Sequence, residues 1–292
     1  MILSIVKPNG RDLAWGKLIL LPAIISFSLL VLPQAGFIWM SFREDLGYGL
    51  VSETATFNNY ITIFTDSFYL QTIWLTLYLS AAATITALLL AFPTAYALAR
   101  IGGWTARIVL TLILTTSLIT IVIKLLGLNI LLGSSGLVNQ LLLGLAIISE
   151  PLVLTNNEIG VYIGLVQYTL PILILLLFSV VQTIPQSTEE AAEIHGASRF
   201  YLWTRILLPL AKPGILAGGL IAFNMSMGAF TSAVLLGGGR VITMPVLIQQ
   251  KMIQSTEYGM AAALSTVLLL FVFVLNVLLA KLALPKKGAN HG

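Results

Sequence analysis

The chain has no cysteine and few charges: Asp, Glu, Lys and Arg make up 9% of its 292 residues, against about a quarter in a soluble domain. The first absence excludes a disulfide framework and thiol chemistry. No G-x-x-x-x-G-K-[ST] loop is present, so there is no ordinary ATP site. No zinc-ligand cluster is visible, and His195 and His291 stand alone, as solvated histidines do. The bases lie singly at the ends of apolar runs and form no dense stretch with interleaved aromatics, which argues against a nucleic-acid partner. No Asp, Glu or His falls inside the apolar runs and no inverted repeat is visible, so an ion-coupled secondary transporter is a distant alternative. A channel would call for a filter-like loop of repeated small residues, and none is seen.

What remains is grease. Hydrophobic residues make up 58% of the chain, and several runs reach the roughly 20 residues that cross a hydrocarbon core. Six helical spans are expected: 18–40, 72–98, 108–128, 159–181, 214–236 and 261–284. The first is preceded by three bases and lacks a small-residue cleavage site, so it reads as a retained span. A seventh apolar stretch from Gly136 is interrupted by Asn139, Gln140, Glu150 and Pro151 and reads as interfacial or re-entrant.

Charge decides the orientation. Six spans with a cytoplasmic N-terminus put Lys7, Arg11, Lys17, Arg100, Arg107, Arg199, Arg205, Lys212, Lys281, Lys286 and Lys287 inside, against Arg43, Lys124, Arg240 and Lys251 outside. A seventh span would reverse much of that bias, contrary to the positive-inside rule. Both termini are therefore expected in the cytoplasm, and the acidic segments 41–71 and 129–158 on the other side.

One stretch between the fourth and fifth spans breaks the apolar pattern: "EEAAEIHGASRFYLWTRILLPLAKPG", Glu189 to Gly214. Ser187, three residues before Glu190, forms a capping-box pattern after Pro185. Gly196 suits a left-handed helix end. A second helix then carries Phe200, Leu202, Trp203, Ile206 and Leu207, and Pro209 and Pro213 redirect the chain into the next span. On these grounds alone the stretch is either an interfacial amphipathic loop or a docking element.

The same residues resemble the EAA loop of the permease subunits of bacterial binding-protein-dependent ABC importers. That pattern is Glu-Ala-Ala, three residues, Gly, nine residues, Ile, one residue, Leu-Pro; here it is Glu190, Ala191, Ala192, Gly196, Ile206, Leu208 and Pro209. The stretches Phe57 to Arg100, Gly136 to Leu175 and Gly228 to Ile248 look like the polyamine-type branch. The resemblance implies an all-α integral membrane protein, one domain over 1–292, with six transmembrane helices of the type I importer kind. It implies a coupling helix in the 186–209 loop. Its contact with the ATPase subunit would be made by Glu189, Glu190, Ala191, Ala192, Glu193, His195, Gly196, Ala197 and Ser198. It further implies a bacterial inner-membrane location, a dimer of ABC ATPase subunits that binds ATP and Mg, an extracytoplasmic substrate-binding protein and a second, homologous permease, with a heterodimer favoured. The chain itself would hold no cofactor.

Polar residues in apolar spans are costly toward lipid and nominate a translocation path. They are Thr116, Ser117, Thr120 and Lys124 in the third span, Gln167 and Tyr168 in the fourth, and Asn224, Ser226 and Thr231 in the fifth. Helix–helix hydrogen bonds are the competing use of each. Gly160, Gly164, Gly218 and Gly219 suit close helix packing, and Pro171 a kink. The branch suggests a polyamine cargo. Lys124 and the lack of an intramembrane acid leave an opine, phosphonate or amino-acid-like solute open.

Overall fold

The computed structural model describes residues 10–283; Lys7, Leu284, Lys286, Lys287 and His291 lie outside them. In chain order the elements are α1 (Gly10–Met40), β1 (Arg43–Gly47), β2 (Leu50–Ala55), α2 (Asn58–Thr65), α3 (Ser67–Ile101), α4 (Gly103–Leu118), α5 (Ile121–Leu132), α6 (Leu137–Gly144), α7 (Glu158–Gln182), α8 (Gln186–Ile194), α9 (Arg199–Tyr201), α10 (Leu208–Met227), α11 (Phe230–Gly237), α12 (Met244–Gln249) and α13 (Tyr258–Ala283). Short π-helical turns at Leu202–Leu207 and Gln250–Gln254 follow α9 and α12. The fold is a membrane helix bundle, with six helical stretches long and apolar enough to cross.

The centre of the bundle is the pair α3 and α7, which run parallel. Their approach follows from side-chain size. Ala83, Ala87, Ala91 and Ala95 recur every fourth residue on one face of α3, and all four are fully buried. Small residues let helices in lipid come close enough for dispersion contacts to add up. On α7 a Cβ at Gly164 would stand 2.5 Å from Leu236 Cδ1, and one at Gly160 would stand 2.9 Å from the Leu154 carbonyl. The expected glycine packing is therefore present. α10 closes the bundle antiparallel to α7, where a Cβ at Gly214 would collide with Val180 at 2.5 Å. α7 continues through Pro171 without a break.

Two expected spans are divided. The reading of 108–128 as one helix is corrected: α4 ends at Leu118, and Ile119 and Thr120 are extended, with ψ of 135° and 132°. Thr111, Thr115, Thr116 and Ser117 each bond the carbonyl four residues back, which loosens a helix, and the β-branched run from Ile119 to Ile123 follows. The two pieces still cross together. Val109, Leu110 and Ile113 of α4 pack at the α8 end of the bundle, beside Leu98 and Leu177, whereas Leu125 of α5 reaches Gly164 near the other end. The fifth expected span, 214–236, is likewise corrected: α10 stops at Met227, and Gly228 and Ala229 turn the chain into α11. The helix also starts earlier, at Arg199, and runs through Pro209 and Pro213 instead of being redirected by them. Pro209 closely follows the π-turn at Leu202–Leu207, where the helical hydrogen-bond ladder is already altered.

The far end of the bundle, opposite α8, carries an antiparallel hairpin, β1 with β2, that the all-helical reading did not anticipate. Its turn, Gly47–Tyr48–Gly49, has positive φ at all three residues. Asp45 ties it down. The two carboxylate oxygens accept the Gly259 and Met260 N–H groups at 2.8 Å each, satisfying donors that the start of α13 would otherwise leave open. Asn59 donates to the Ser41 and Arg43 carbonyls. Buried Asn139 bonds Gly133 and Leu152 and so folds the stretch after α6. Nearby, Lys251 pairs with Glu257 at 2.7 Å. Burial works against the Lys251 charge, yet the Glu257 hydrogen bond and the Tyr69 hydroxyl hold its pKa above the usual lysine value.

A Cβ on Gly259 would lie 2.0 Å from the Arg43 carbonyl oxygen, a backbone atom with little room to yield. Gly259→Val is expected to detach the hairpin and cost about 1–3 kcal/mol, the usual range for overpacking. Faster limited proteolysis within 43–55, with the rest of the bundle unchanged, is the check.

Candidate functional site

The site is the cap at the α8 end. Pro185, at φ −62° and ψ 137°, holds the N-cap position of α8, and no side chain caps it. The capping box read from Ser187 and Glu190 is therefore corrected: Ser187 is already inside the helix, and the rigid proline sets the start. The other end behaves as expected. Gly196 has φ +79°; its N–H bonds the Glu193 carbonyl and the Ala197 N–H bonds Ala192, the paired arrangement that closes a helix on a left-handed glycine. The Ser198 hydroxyl then caps α9 by accepting the Tyr201 N–H.

One side chain fixes this loop to the bundle. The Glu189 carboxylate accepts the Tyr96 hydroxyl at 2.7 Å and Arg100 Nε at 2.7 Å. Arg100 Nη2 completes the ion pair with Glu189 and donates to the Ile184 carbonyl at 3.1 Å. The Arg100 and Glu189 side chains are only 16% and 12% exposed, so water screens the pair little. Trp203, in the π-turn, packs edge-on against Tyr96 and Phe92 with ring centroids 4.8 and 5.5 Å apart. The end of α3, the start of α8 and the root of α10 thus meet at Tyr96.

Of the nine residues expected to face an ATPase, Glu189 does not face outward: its carboxylate is turned onto α3. Glu190, Ala191, Glu193, His195, Gly196 and Ser198 are exposed, and Ala192 and Ala197 are half-buried beneath them. His195 Nδ1 donates to the Ala191 carbonyl at 2.7 Å. Ala192, His195, Gly196, Ala197, Ser198, Tyr201 and Ile206 line an open cleft of about 570 Å³. Ile194 and Phe200 stand 84% and 79% exposed beside it. Tyr96 and Arg100 were not singled out as partners of the loop, although their four-residue spacing put both on one face of a helix end.

The expected path residues are dispersed. Thr116 and Ser117 bond their own helix, Thr120 is exposed at the break, and Lys124 is half-buried on α5. Gln167 and Tyr168 are half-buried on α7; Gln167 Oε1 and Ser226 Oγ are buried without a hydrogen bond. The Asn224 amide is paired reciprocally with Asn276 of α13 at 3.1 Å. Thr231 lies past the turn, on α11. None of the nine lines the α8 cleft.

Residues 87–283 match the family described as binding-protein-dependent transport system inner membrane component. The chain belongs to that family. It is a permease subunit of an ABC importer and a multi-pass inner-membrane protein. Similar proteins include the spermidine/putrescine transport system permease protein PotB of Haemophilus influenzae, 33% identical over 258 residues, covering 86% of this chain and 90% of that one. The PotB protein of Escherichia coli K12 is 30% identical over 239 residues, covering 81% and 86%. Among solved structures, a bacterial ABC transporter involved in the import of the acidic polysaccharide alginate superposes with a TM-score of 0.74. Its identity is 21% and the match covers 94% and 96% of the two chains, which supports the fold.

Arg100→Met removes the ion pair and one hydrogen bond to Glu189 and the hydrogen bond to the Ile184 carbonyl, leaving only the Tyr96 hydroxyl on Glu189. Each hydrogen bond to a charged group contributes about 1.5–3 kcal/mol, so local opening of the loop costs correspondingly less. Amide exchange across 186–198 is expected to accelerate by about 10–100-fold, while exchange within α7 stays unchanged.

Proposed function

We propose that α8 and the cleft behind it dock onto the ATPase subunit, and that the assembled importer carries a polyamine-like solute. The observation that carries the docking is the held loop: an exposed helix with bare Ile194 and Phe200, pinned to α3 through Glu189. A surface helix on a flexible tether would move without moving the bundle. The pin makes α8 part of the same body as α3, so closure of two ATP-loaded subunits beneath it is passed into the membrane.

In this reading α8 and both termini face the cytoplasm, and the β1–β2 hairpin faces a soluble binding protein outside. A second, different permease completes the pathway, and ATP and Mg belong to the ATPase subunits. The polyamine cargo rests on the two PotB relatives, which are permeases of spermidine/putrescine transport systems. One observation favours a second reading, an opine or amino-acid-like zwitterion: Lys124 is half-buried on α5, and no carboxylate among the described residues forms an ion pair with it.

Three measurements check these statements. Gly196→Val forces a β-branched residue to φ +79°, at a cost of roughly 1–2 kcal/mol, and Glu190→Lys reverses an exposed charge on the docking face. Both variants are expected to insert normally and to lose most coupled uptake in proteoliposomes; near-normal coupled uptake in both defeats the docking role. Single cysteines at Ser187 are expected to label only from the cytoplasm, and those at Ser52 and Asn157 only from outside. Calorimetry on the cognate binding protein is expected to show tight putrescine or spermidine binding; tight binding of a sugar or metal ion and of no amine sinks the cargo reading.

A further inference from the structure

A second concavity lies between α3 and α7, toward the opposite end of the bundle from α8. It encloses about 250 Å³ and is lined by Tyr78, Leu79, Ala82, Glu158, Ile159 and Tyr162. Three of these carry chemistry. Glu158 opens α7 and is exposed, and no basic side chain among the described residues forms an ion pair with it. Tyr78 is 54% exposed. Tyr162 is half-buried, and its hydroxyl sits 2.6 Å from Thr86 Oγ1, which fixes the ring against α3.

The depth of this carboxylate matters as much as its neighbours. α3 begins at Ser67, so Tyr78 to Ala82 lie 11 to 15 residues below its start, roughly 16–22 Å along the helix. Glu158 is level with them, because α7 begins far below the top of α3. An acid that the sequence places in a loop thus lies beside the middle turns of the longest helix of the bundle while staying exposed. A first-turn acid also stabilises its own helix, but that role requires neither the two rings nor the cavity.

A carboxylate and two phenol rings in one concavity form a recognition set for an alkylammonium group. The carboxylate attracts the charge, and a ring face adds a cation–π contribution. The apolar wall of Leu79, Ala82 and Ile159 suits the methylenes between two amines. A neutral sugar can stack on the rings but gains no charge attraction from the carboxylate, and an anion is repelled. The volume falls just below the roughly 300–1,000 Å³ of drug-sized ligand pockets, which fits a small linear solute. We propose that this cleft is a cargo site for the primary ammonium groups of a diamine or polyamine, with Glu158 as counter-ion and Tyr78 and Tyr162 as its aromatic walls. The proposal rests on the polyamine reading above and gives that cargo a place in this chain.

The lack of cysteine allows a direct test on the assembled importer in proteoliposomes. Ala82→Cys puts a thiol on the cavity wall. It is reacted with methanethiosulfonates bearing either an ethylammonium or an ethylsulfonate group, each rate normalised to a free thiol and read from the mass of this chain. The cationic reagent is expected to react about tenfold faster, the factor that one nearby charge supplies in a partly aqueous cleft. Glu158→Gln is expected to bring the ratio close to one. Added 1,4-diaminobutane is expected to protect the thiol and glucose is not; Tyr78→Phe keeps the protection and Tyr78→Ala loses it. A ratio near one in the parent, a ratio unmoved by Glu158→Gln, or no protection by the diamine overturns the site. Diamine uptake by the wild-type importer is measured in parallel. Uptake without charge preference at Ala82→Cys overturns the site and leaves the cargo reading standing. Charge preference and diamine protection without uptake support the site and overturn the cargo reading.

Discussion

Everything at the α8 end depends on where the Glu189 carboxylate points. A loop helix of nine residues is too short to be stable alone in water, and none of its residues is buried. Its position comes from Tyr96 and Arg100, which supply three donors to one carboxylate and a fourth to the Ile184 carbonyl. Loss of that carboxylate leaves a half-buried guanidinium without a counter-charge, and this second cost is why such pairs are stiff. α3 carries the pair at one end and the alanine stripe along its length, so the residues that hold Glu189 and the face that packs on α7 belong to one helix.

The regular helical ladder is interrupted in the segments around α3 and α7. The α4–α5 interruption, the Met227–Phe230 turn and the two π-turns each alter the regular hydrogen-bond ladder. In lipid a freed carbonyl or N–H is expensive, and each break has substitutes at hand. Asn129 of α5 donates to the Leu235 carbonyl at 2.7 Å, joining the outer halves of two divided spans. Thr76 accepts the Met244 N–H at 2.8 Å, satisfying the start of α12 from α3. These half-helices are tied to each other at the far end of the bundle, whereas α3 and α7 run unbroken from one end to the other. The fold therefore combines two rigid posts with segmented neighbours.

The sequence disclosed the parts that depend on composition and spacing. Six membrane-length apolar stretches, the left-handed Gly196, and close packing at Gly160 and Gly164 follow from local chemistry and are present, although the expected 108–128 and 214–236 spans are divided. The misses have a common cause: they depend on what lies opposite. Glu189 and Glu190 are adjacent and chemically alike, and only the position of Arg100 makes one an anchor and leaves the other exposed. Asn224 reads equally well as a path residue or as a helix bridge until Asn276 is seen beside it. The hairpin was hidden because "REDLGYGLVSETA" is short, polar and irregular, and its pairing is secured by Asp45 at a residue more than two hundred positions away.

The same dependence explains how an acid outside every apolar run comes to lie against the middle turns of a neighbouring helix. A span boundary read from hydropathy treats each helix end as level with the next. Here α3 extends well past the start of α7, so residues of one loop lie alongside the middle turns of a neighbouring helix. Glu158 gains its depth from that offset, not from its own segment, and the loop carbonyl of Leu154 packs against Gly160 to hold the offset in place. Any side chain at Gly160 would push α7 away from Leu154 and Leu236 together. Close packing at Gly160 therefore helps set where Glu158 sits along α3.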